Sequence, residues 1–133
     1  MMPGDYKRLG TGLWDEPRIA TQPNIQGGWF AAPAPSARQT FERKYTETYG
    51  REPERLATLA YDATALAAIL ARRGYERSTQ PAYSFNDLTN PNGFSGTDGI
   101  FRFKSNGLVE RGLAVLEVRG GRIVEIDPAP KRF

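Results

Sequence analysis

The stretch PERLATLAYDATALAAILARRG, from Pro53 to Gly74, decides how the rest of the chain is interpreted. Its apolar residues recur at steps of three and four, which is the spacing of one face of an α-helix. Pro53 suits a first helical turn, because its missing N–H has no partner there. Gly74 can take the left-handed conformation that ends a helix. We therefore predict a helix over Pro53–Gly74 whose inner face comprises Leu56, Leu59, Ala60, Ala63, Leu66, Ala67 and Leu70.

The composition indicates a small globular protein and excludes several kinds of site. The 133 residues suffice for one ordinary domain, and 39% of them are hydrophobic and 25% charged. Because the chain has no cysteine and no histidine, the common zinc and iron–sulfur sites and the Ser-His and Cys-His catalytic pairs are excluded. The carboxylates form no acid–base pair that spacing could identify. We expect a protein that is not an enzyme and that binds no cofactor or metal.

The charge pattern bears on partners and location. The net charge is +3, and the 18 Lys and Arg residues are scattered, whereas nucleic-acid binders concentrate positive charge on a stripe or tail. We therefore expect no nucleic-acid partner. No apolar run approaches the ~18 residues of a membrane span, and the N-terminal MMPGDYKRLGTG lacks the apolar core of a signal peptide. We expect either a cytosolic protein or a piece of a longer exported one.

The segment before the central helix is predicted to hold a strand and a helix. Gly27–Ala32 has the apolar, glycine-led pattern of a short strand. Ser36 and Gln39 have the spacing of a capping box. We therefore expect a helix that begins with Ser36 as its N-cap, runs to Tyr49 and is ended by Gly50.

Turn residues dominate the segment after the central helix. A short helix is expected within Ala82–Leu88, followed by a glycine-punctuated loop over residues 93–99. Hairpin turns are predicted at residues 105–107 and 120–121, because Asn-Gly and Gly-Gly tolerate positive φ values. Three antiparallel strands are expected over Ile100–Phe103, Leu113–Val118 and Arg122–Ile126. The chain is thus predicted to be of the α/β class, with a C-terminal antiparallel hairpin region.

An ordered set of residues then resembles a known family. The set comprises Phe41, Tyr45, Tyr49-Gly50, Pro53, Ala60-Tyr61-Asp62-Ala63, Gly93-Phe94-Ser95-Gly96, Gly99, Phe101-Arg102-Phe103, Asn106-Gly107 and Arg111-Gly112-Leu113-Ala114-Val115. It is similar to the C-terminal part of type I periplasmic binding proteins, above all the branched-chain amino-acid (Leu/Ile/Val) receptors of ABC importers. The related penicillin-binding-protein activator lipoproteins are similar too. The resemblance runs from about Lys7 to Phe133.

The resemblance implies a fold and a division of the chain. Family members have two α/β lobes and are two to three times as long as this chain. This chain is therefore expected to be the C-terminal portion of such a protein and to form a fragment of a three-layer type I lobe. Residues 1–50 are expected in the second lobe, and residues 51–133 are expected to return to the first lobe and supply the hinge strands. Such a fragment would expose apolar surface, so self-association is also expected.

The resemblance also implies a function. It predicts a solute-binding component of an ABC importer that closes by a hinge on an amino acid or a similar small polar ligand. The parent protein would be periplasmic or envelope-anchored and would deliver the ligand to an ABC permease. The candidate ligand-binding residues are Trp14, Gln26, Trp29 and Tyr61. Each also has a structural interpretation, since a tryptophan after a strand or a tyrosine at helical spacing often packs into a core.

One departure from the family keeps a second function open. The family often places a carboxylate beside the glycines at Gly27-Gly28 to bind the ligand's ammonium group, and here the neighbouring residue is Gln26. The alternative is a cell-envelope interaction module that has lost ligand binding and activates a peptidoglycan synthase.

Overall fold

A computed structural model describes residues 6–133. In chain order the elements are β1 (Leu9–Gly10), α1 (Pro17–Ala20), β2 (Trp29–Ala32), α2 (Pro35–Tyr49), α3 (Ala57–Arg77), α4 (Phe85–Leu88), β3 (Phe94–Gly96), β4 (Gly99–Phe103), β5 (Val109–Arg111), β6 (Ala114–Arg119) and β7 (Arg122–Asp127). Two 3₁₀ turns, Gly12–Trp14 and Pro23–Ile25, flank α1. The mixed α/β class predicted from the sequence is confirmed.

The described residues form two compact units. Unit 1 contains residues 6–34 and Leu113–Ala129, and unit 2 contains Pro35–Gly112 and Pro130–Phe133. The chain therefore changes unit after Ala34, after Gly112 and after Ala129, whereas the predicted change of lobe lies at residue 50. Residues 1–5, which begin the predicted second-lobe part, lie outside the described residues. Which lobe of a binding protein each unit represents stays a prediction.

Unit 1 is built on a four-stranded sheet in the order β1-β2-β6-β7. β1 is parallel to β2, and the other neighbours are antiparallel. Alternate residues of β2 and β6 point to one face and form a buried apolar core with Ala20 of α1. The predicted turn between β6 and β7 is confirmed: Gly120 and Gly121 have φ values of +58° and +76°. The core of this unit therefore follows from the alternation of inward- and outward-facing side chains along β2 and β6.

Unit 2 combines the two long helices with a second sheet in the order β3-β4-β5. α2 ends at Tyr49, and Gly50 has a φ of +68°, as predicted. The predicted N-cap is wrong, because α2 begins at Pro35 and Ser36 lies inside its first turn. Proline suits that first position, since its ring presets a helical φ and an N–H there would have no helical acceptor.

The central helix α3 is shifted towards the C-terminus relative to its prediction. It begins at Ala57, not Pro53, and continues to Arg77. Gly74 therefore does not end the helix. A Cβ at Gly74 would lie 2.2 Å from the backbone nitrogen of Ala82, whose N–H donates a hydrogen bond of 3.1 Å to the carbonyl of Leu70. Gly74 thus makes room for the chain returning after α3.

The buried face of α3 also differs from the predicted one. The buried residues recur at every fourth position: Thr58, Asp62, Leu66, Leu70 and Gly74. Leu66 and Leu70 were predicted correctly, and they pack with Phe101 of β4. Leu56 and Leu59 are 70% and 38% exposed, so their assignment to the inner face is wrong. The spacing of apolar residues could not predict that the polar residues Thr58 and Asp62 lie in the same buried row as Leu66 and Leu70.

The three C-terminal strands do not form one sheet. β4 pairs with β3 and β5, neither of which was predicted, while β6 and β7 belong to unit 1. β3 lies in the segment predicted to be a glycine-punctuated loop. The turn at residues 105–107 is confirmed and joins β4 to β5, with Gly107 at a φ of +82°. None of the helices within residues 6–133 has the length and apolar character needed to cross a membrane.

Candidate functional site

A groove in unit 2 is lined by an aromatic stripe on α2 and by the facing side of α3. Phe41, Tyr45 and Tyr49 follow one another at four-residue steps, with ring centroids 5.8 and 4.6 Å apart. Tyr61 of α3 lies across from them, 5.1 Å from Phe41. We call this the α2–α3 groove; its volume is about 710 Å³, and it is lined by Ala37, Thr40, Phe41, Lys44, Tyr45, Thr48, Tyr49, Ala57, Ala60, Tyr61, Asp62, Ala65, Ser95, Gly96 and Thr97.

Asp62 closes the polar end of the groove, where α3 meets the turn between β3 and β4. Its Oδ1 accepts a hydrogen bond of 2.7 Å from the Thr97 N–H, and its Oδ2 accepts one of 3.4 Å from the Asp98 N–H. A Cβ at Gly96 would lie 2.4 Å from Asp62 Oδ2, so glycine is needed for this approach. The carboxylate of Asp62 is thus engaged with the turn and holds β3 and β4 against α3.

A second polar contact reinforces the same junction. The Thr58 hydroxyl donates a hydrogen bond of 2.8 Å to Asp98 Oδ2, and Arg55 Nη1 lies 3.5 Å from that oxygen. Thr58, Asp62 and Asp98 are all buried. Buried polar groups of this kind are stabilising when they are paired, and they fix one arrangement of the elements they join.

Tyr61, the candidate residue of unit 2, presents free aromatic surface in the groove. Its side chain is 53% exposed, and one part of its ring packs against Phe41. A planar ring supported in this way can offer a wall to an apolar or aromatic group. Tyr61 was predicted as a ligand contact, and that role stays a prediction. The sequence analysis did not predict that Phe41, Tyr45 and Tyr49 face Tyr61, although their four-residue spacing places them on one side of a helix.

Trp29 lies at the surface of unit 1 within a network of charged partners. Its Nε1 donates a hydrogen bond of 2.8 Å to Glu117 Oε2, and Lys7 Nζ lies 4.3 Å from its ring centroid. Arg119 Nε donates a hydrogen bond of 2.8 Å to Glu117 Oε1. The bonds from Arg119 and then from Trp29 hold the pKa of Glu117 below its usual value, because both stabilise the carboxylate. Trp29 is 36% exposed.

Trp14 is half-buried against the core of unit 1. Its ring meets Phe30 edge-on, with centroids 6.0 Å apart. A Cβ at Gly10 or at Gly28 would lie 2.2 or 2.7 Å from the indole, so both glycines leave room for it. Gly10, at the end of β1, and Gly28, just before β2, thus leave room for the packing of this side chain.

Gln26 uses its amide within unit 1. Its Nε2 donates to the carbonyls of Ala20 and Gln22, at 2.8 and 2.9 Å, and its Oε1 accepts from the Gly121 N–H at 3.2 Å. The structure therefore places Trp14, Gln26 and Trp29 in unit 1 and Tyr61 in unit 2. No group of three or more His, Cys, Asp or Glu residues within 6–133 is arranged to hold a metal ion.

The fold was compared with known proteins. Neither a protein-family model nor a curated protein matches the sequence. A solved structure of a proposed branched-chain amino acid ABC transporter from Rhodospirillum rubrum matches 93% of this chain and 38% of its own, with a TM-score of 0.74 and 20% identity. The fold is that of part of a type I periplasmic binding protein.

Two further type I structures were solved with ligands. An ABC transporter substrate-binding protein from Desulfitobacterium hafniense in complex with Leu matches 93% of this chain and 36% of its own, with a TM-score of 0.59 and 22% identity. A solute-binding protein from R. palustris in complex with benzoate matches 93% and 37%, with a TM-score of 0.56 and 20% identity. The chain thus spans less than two-fifths of the length of these type I binding proteins.

Proposed function

We propose that this chain is part of the solute-binding component of an ABC importer. The observation that carries the proposal is the match of 93% of the chain to the R. rubrum structure at a TM-score of 0.74. In the parent protein the chain would contribute to the three-layer lobes, and an amino acid or a similar small polar ligand would be bound by hinge closure. A periplasmic or envelope-anchored location and delivery to an ABC permease belong to the same proposal.

The ligand class is an amphipathic carboxylate with a small apolar or aromatic side group. Leu and benzoate, the ligands of two matched structures, share a carboxylate and an apolar part. Binding such a molecule takes an apolar wall and a few polar groups that fix its orientation. Tyr61 and Trp29 are the candidates for walls, because both expose part of an aromatic ring.

The other two candidates would contribute differently. Trp14 would shape the loop around it, since its ring fills the space left by Gly10 and Gly28. Gln26 would contact a ligand only by giving up hydrogen bonds to Ala20, Gln22 or Gly121. We therefore rank Tyr61 and Trp29 above Trp14 and Gln26 as ligand contacts.

A thermal-shift experiment on this chain tests the proposal. Saturating leucine, isoleucine, valine or benzoate is expected to raise the melting temperature by several degrees, because a ligand that binds only the folded state stabilises it. Tyr61→Ala should reduce the shift, whereas Tyr75→Ala, a change at a similarly exposed tyrosine of α3 that does not line the groove, should not. Absence of any shift across the panel would contradict ligand binding by this chain.

The hydrogen bonds that Gln26 makes within unit 1 favour one alternative function, a cell-envelope interaction module. With no acidic side chain at residues 24–28 and the Gln26 amide held within unit 1, this loop offers little to an ammonium group. An envelope module that activates a peptidoglycan synthase needs no such group. Two results together would favour that alternative: no ligand of the panel changes the melting temperature, and the chain stimulates a purified penicillin-binding synthase.

A further inference from the structure

Two rows of side chains run side by side along α2 and line the α2–α3 groove. The first is the aromatic stripe, which begins at Phe41. The second row lies one position earlier along the helix and comprises Thr40, Lys44 and Thr48. Residues four positions apart are neighbours on one face of a helix, so each row is continuous. The α2 wall of the groove is therefore aromatic along one edge and polar along the other.

The α3 wall leaves room for a flat group against the aromatic stripe. Ala57, Ala60 and Ala65 line this wall with single methyl groups, and the ring of Tyr61 lies 5.1 Å from that of Phe41. Neighbouring rings of the groove are inclined to one another by 45° to 55°. Such rings offer both edges and faces to a further aromatic ring. The volume of about 710 Å³ is within the usual range for small-molecule pockets.

Lys44 supplies the positive charge of the groove. Among its lining residues, all within the described part of the chain, Lys44 is the one cation and Asp62 the one carboxylate. The Lys44 side chain is exposed, and within residues 6–133 no carboxylate forms an ion pair with its ammonium group. An anion that enters the groove therefore meets an unpaired cation beside the aromatic stripe.

The carboxylate of Asp62 is much less accessible to a ligand. Asp62 is only 5% exposed, and its two oxygens accept the N–H groups of Thr97 and Asp98. An ammonium group that entered the groove would lose solvation without gaining a free carboxylate, which is unfavourable. The groove thus offers a free charged partner to a carboxylate but not to an amine.

We propose that the α2–α3 groove selects an aryl carboxylate that carries no amine. This inference rests on the proposed function and narrows its ligand class. The aryl group packs on the aromatic stripe and on Tyr61, and the Lys44 ammonium group donates a charge-assisted hydrogen bond to the carboxylate. An amino acid with the same side group binds more weakly, because its own ammonium group gains no partner.

Matched pairs of ligands test the selection. Isothermal titration calorimetry on this chain compares hydrocinnamate with phenylalanine, and isocaproate with leucine; within each pair the two molecules differ only by the amine. Each acid is expected to bind at least ~10-fold more tightly than its amino acid. Hydrocinnamamide keeps the ring but has no charge, and it should bind at least ~3-fold more weakly than hydrocinnamate.

Lys44→Gln tests the anchor for the carboxylate. It should weaken hydrocinnamate binding by about 3–10-fold and leave hydrocinnamamide binding unchanged. Lys44→Arg, which keeps the charge, should retain hydrocinnamate binding. Lys104→Gln is the matched control, since Lys104 is an exposed lysine of the same unit that does not line the groove, and it should change neither ligand's affinity. Because both lysines are exposed, the helix signal in circular dichroism should be preserved in all three variants.

The outcomes separate this inference from the proposed function. Phenylalanine or leucine binding as tightly as its amine-free acid overturns the inference and leaves the proposed function intact. Unchanged hydrocinnamate affinity in Lys44→Gln, or an equal loss in Lys104→Gln, also overturns it. If no acid and no amino acid binds, ligand binding by this chain and the inference both fail.

Discussion

The two units of this protein are stabilised by different kinds of core. The larger apolar cluster lies in unit 1, with Leu116 and Val118 of β6 fully buried, and this unit buries one acidic side chain, Asp15. Unit 2 buries a smaller apolar cluster beside a row of paired polar groups on α3, Thr58 and Asp62. Unit 1 therefore depends mainly on apolar volume, and unit 2 depends also on the hydrogen bonds of its buried polar row. Because both tryptophans lie in unit 1 and both long helices in unit 2, fluorescence and circular dichroism report on the units separately.

The largest effect is expected at the centre of the apolar core. Leu116→Ala should lower the free energy of unfolding by about 2–5 kcal/mol, because it leaves a cavity among fully buried neighbours. Chemical denaturation followed by tryptophan fluorescence measures it. Leu59→Ala is the control for unit 2 and is followed by circular dichroism at the helix band. Because Leu59 is 38% exposed, this substitution should cost less than ~1 kcal/mol. Equal losses for the two variants would mean that the buried face of α3 is misassigned.

A smaller effect is expected when the polar row of unit 2 is broken. Asp62→Ala leaves the Thr97 and Asp98 N–H groups without their acceptor, which should cost about 1–3 kcal/mol. The loss should appear in denaturation followed by circular dichroism at the helix band and leave the tryptophan transition unchanged. Glu76→Ala removes an exposed α3 ion pair with Arg72 and should change stability by less than ~0.5 kcal/mol. If Asp62→Ala also lowers stability by less than ~0.5 kcal/mol, the hydrogen bonds that Asp62 accepts from Thr97 and Asp98 do not stabilise unit 2.

The smallest effect is a pH response at the surface of unit 1. The pKa of Glu117 is held below its usual value by Arg119 and Trp29. The stabilisation by its carboxylate is therefore present above the ordinary glutamate pKa of about 4.3 and is lost as the pH falls through the lowered value. Trp29 emission should stay constant from neutral pH down to the ordinary glutamate pKa of about 4.3 and change only at lower pH.

Glu117→Gln tests the source of that response. It keeps an oxygen for the Trp29 N–H but cannot titrate, so the emission change should disappear. A change that persists in Glu117→Gln would assign the response to another acidic group of the unit.

The regular elements of unit 1 were largely predictable from the sequence. β2, β6 and β7 follow alternation bounded by glycine and proline, which is a local property of the chain. In unit 2 the sequence predicted α2, most of α3 and the short α4 but missed β3 and β5. These three-residue strands have too little alternation to be recognised, and they exist because β4 lies between them.

The candidate site was predictable only in part. Tyr61 and Trp29 were predicted as ligand contacts, a role that stays a prediction, and both expose aromatic surface. The hydrogen bonds of Gln26 to Ala20 and Gly121 could not be foreseen, because they join segments up to 95 positions apart. The α2–α3 groove was not predicted. Residue spacing predicts each helix separately, but it does not show which faces of α2 and α3 lie opposite each other.

By itself, the sequence determined the α/β class, the positions of the long helices, the glycine turns and the resemblance to part of a type I periplasmic binding protein. Those features depend on residue spacing and on backbone preferences within a few positions. Tertiary structure alone decided that Gly74 admits the returning chain and that Thr58 and Asp62 continue the buried row of α3. It also placed the C-terminal strands in two sheets. The reason is physical: a small or polar residue is buried only when a distant backbone supplies the contact or the hydrogen bond that it needs.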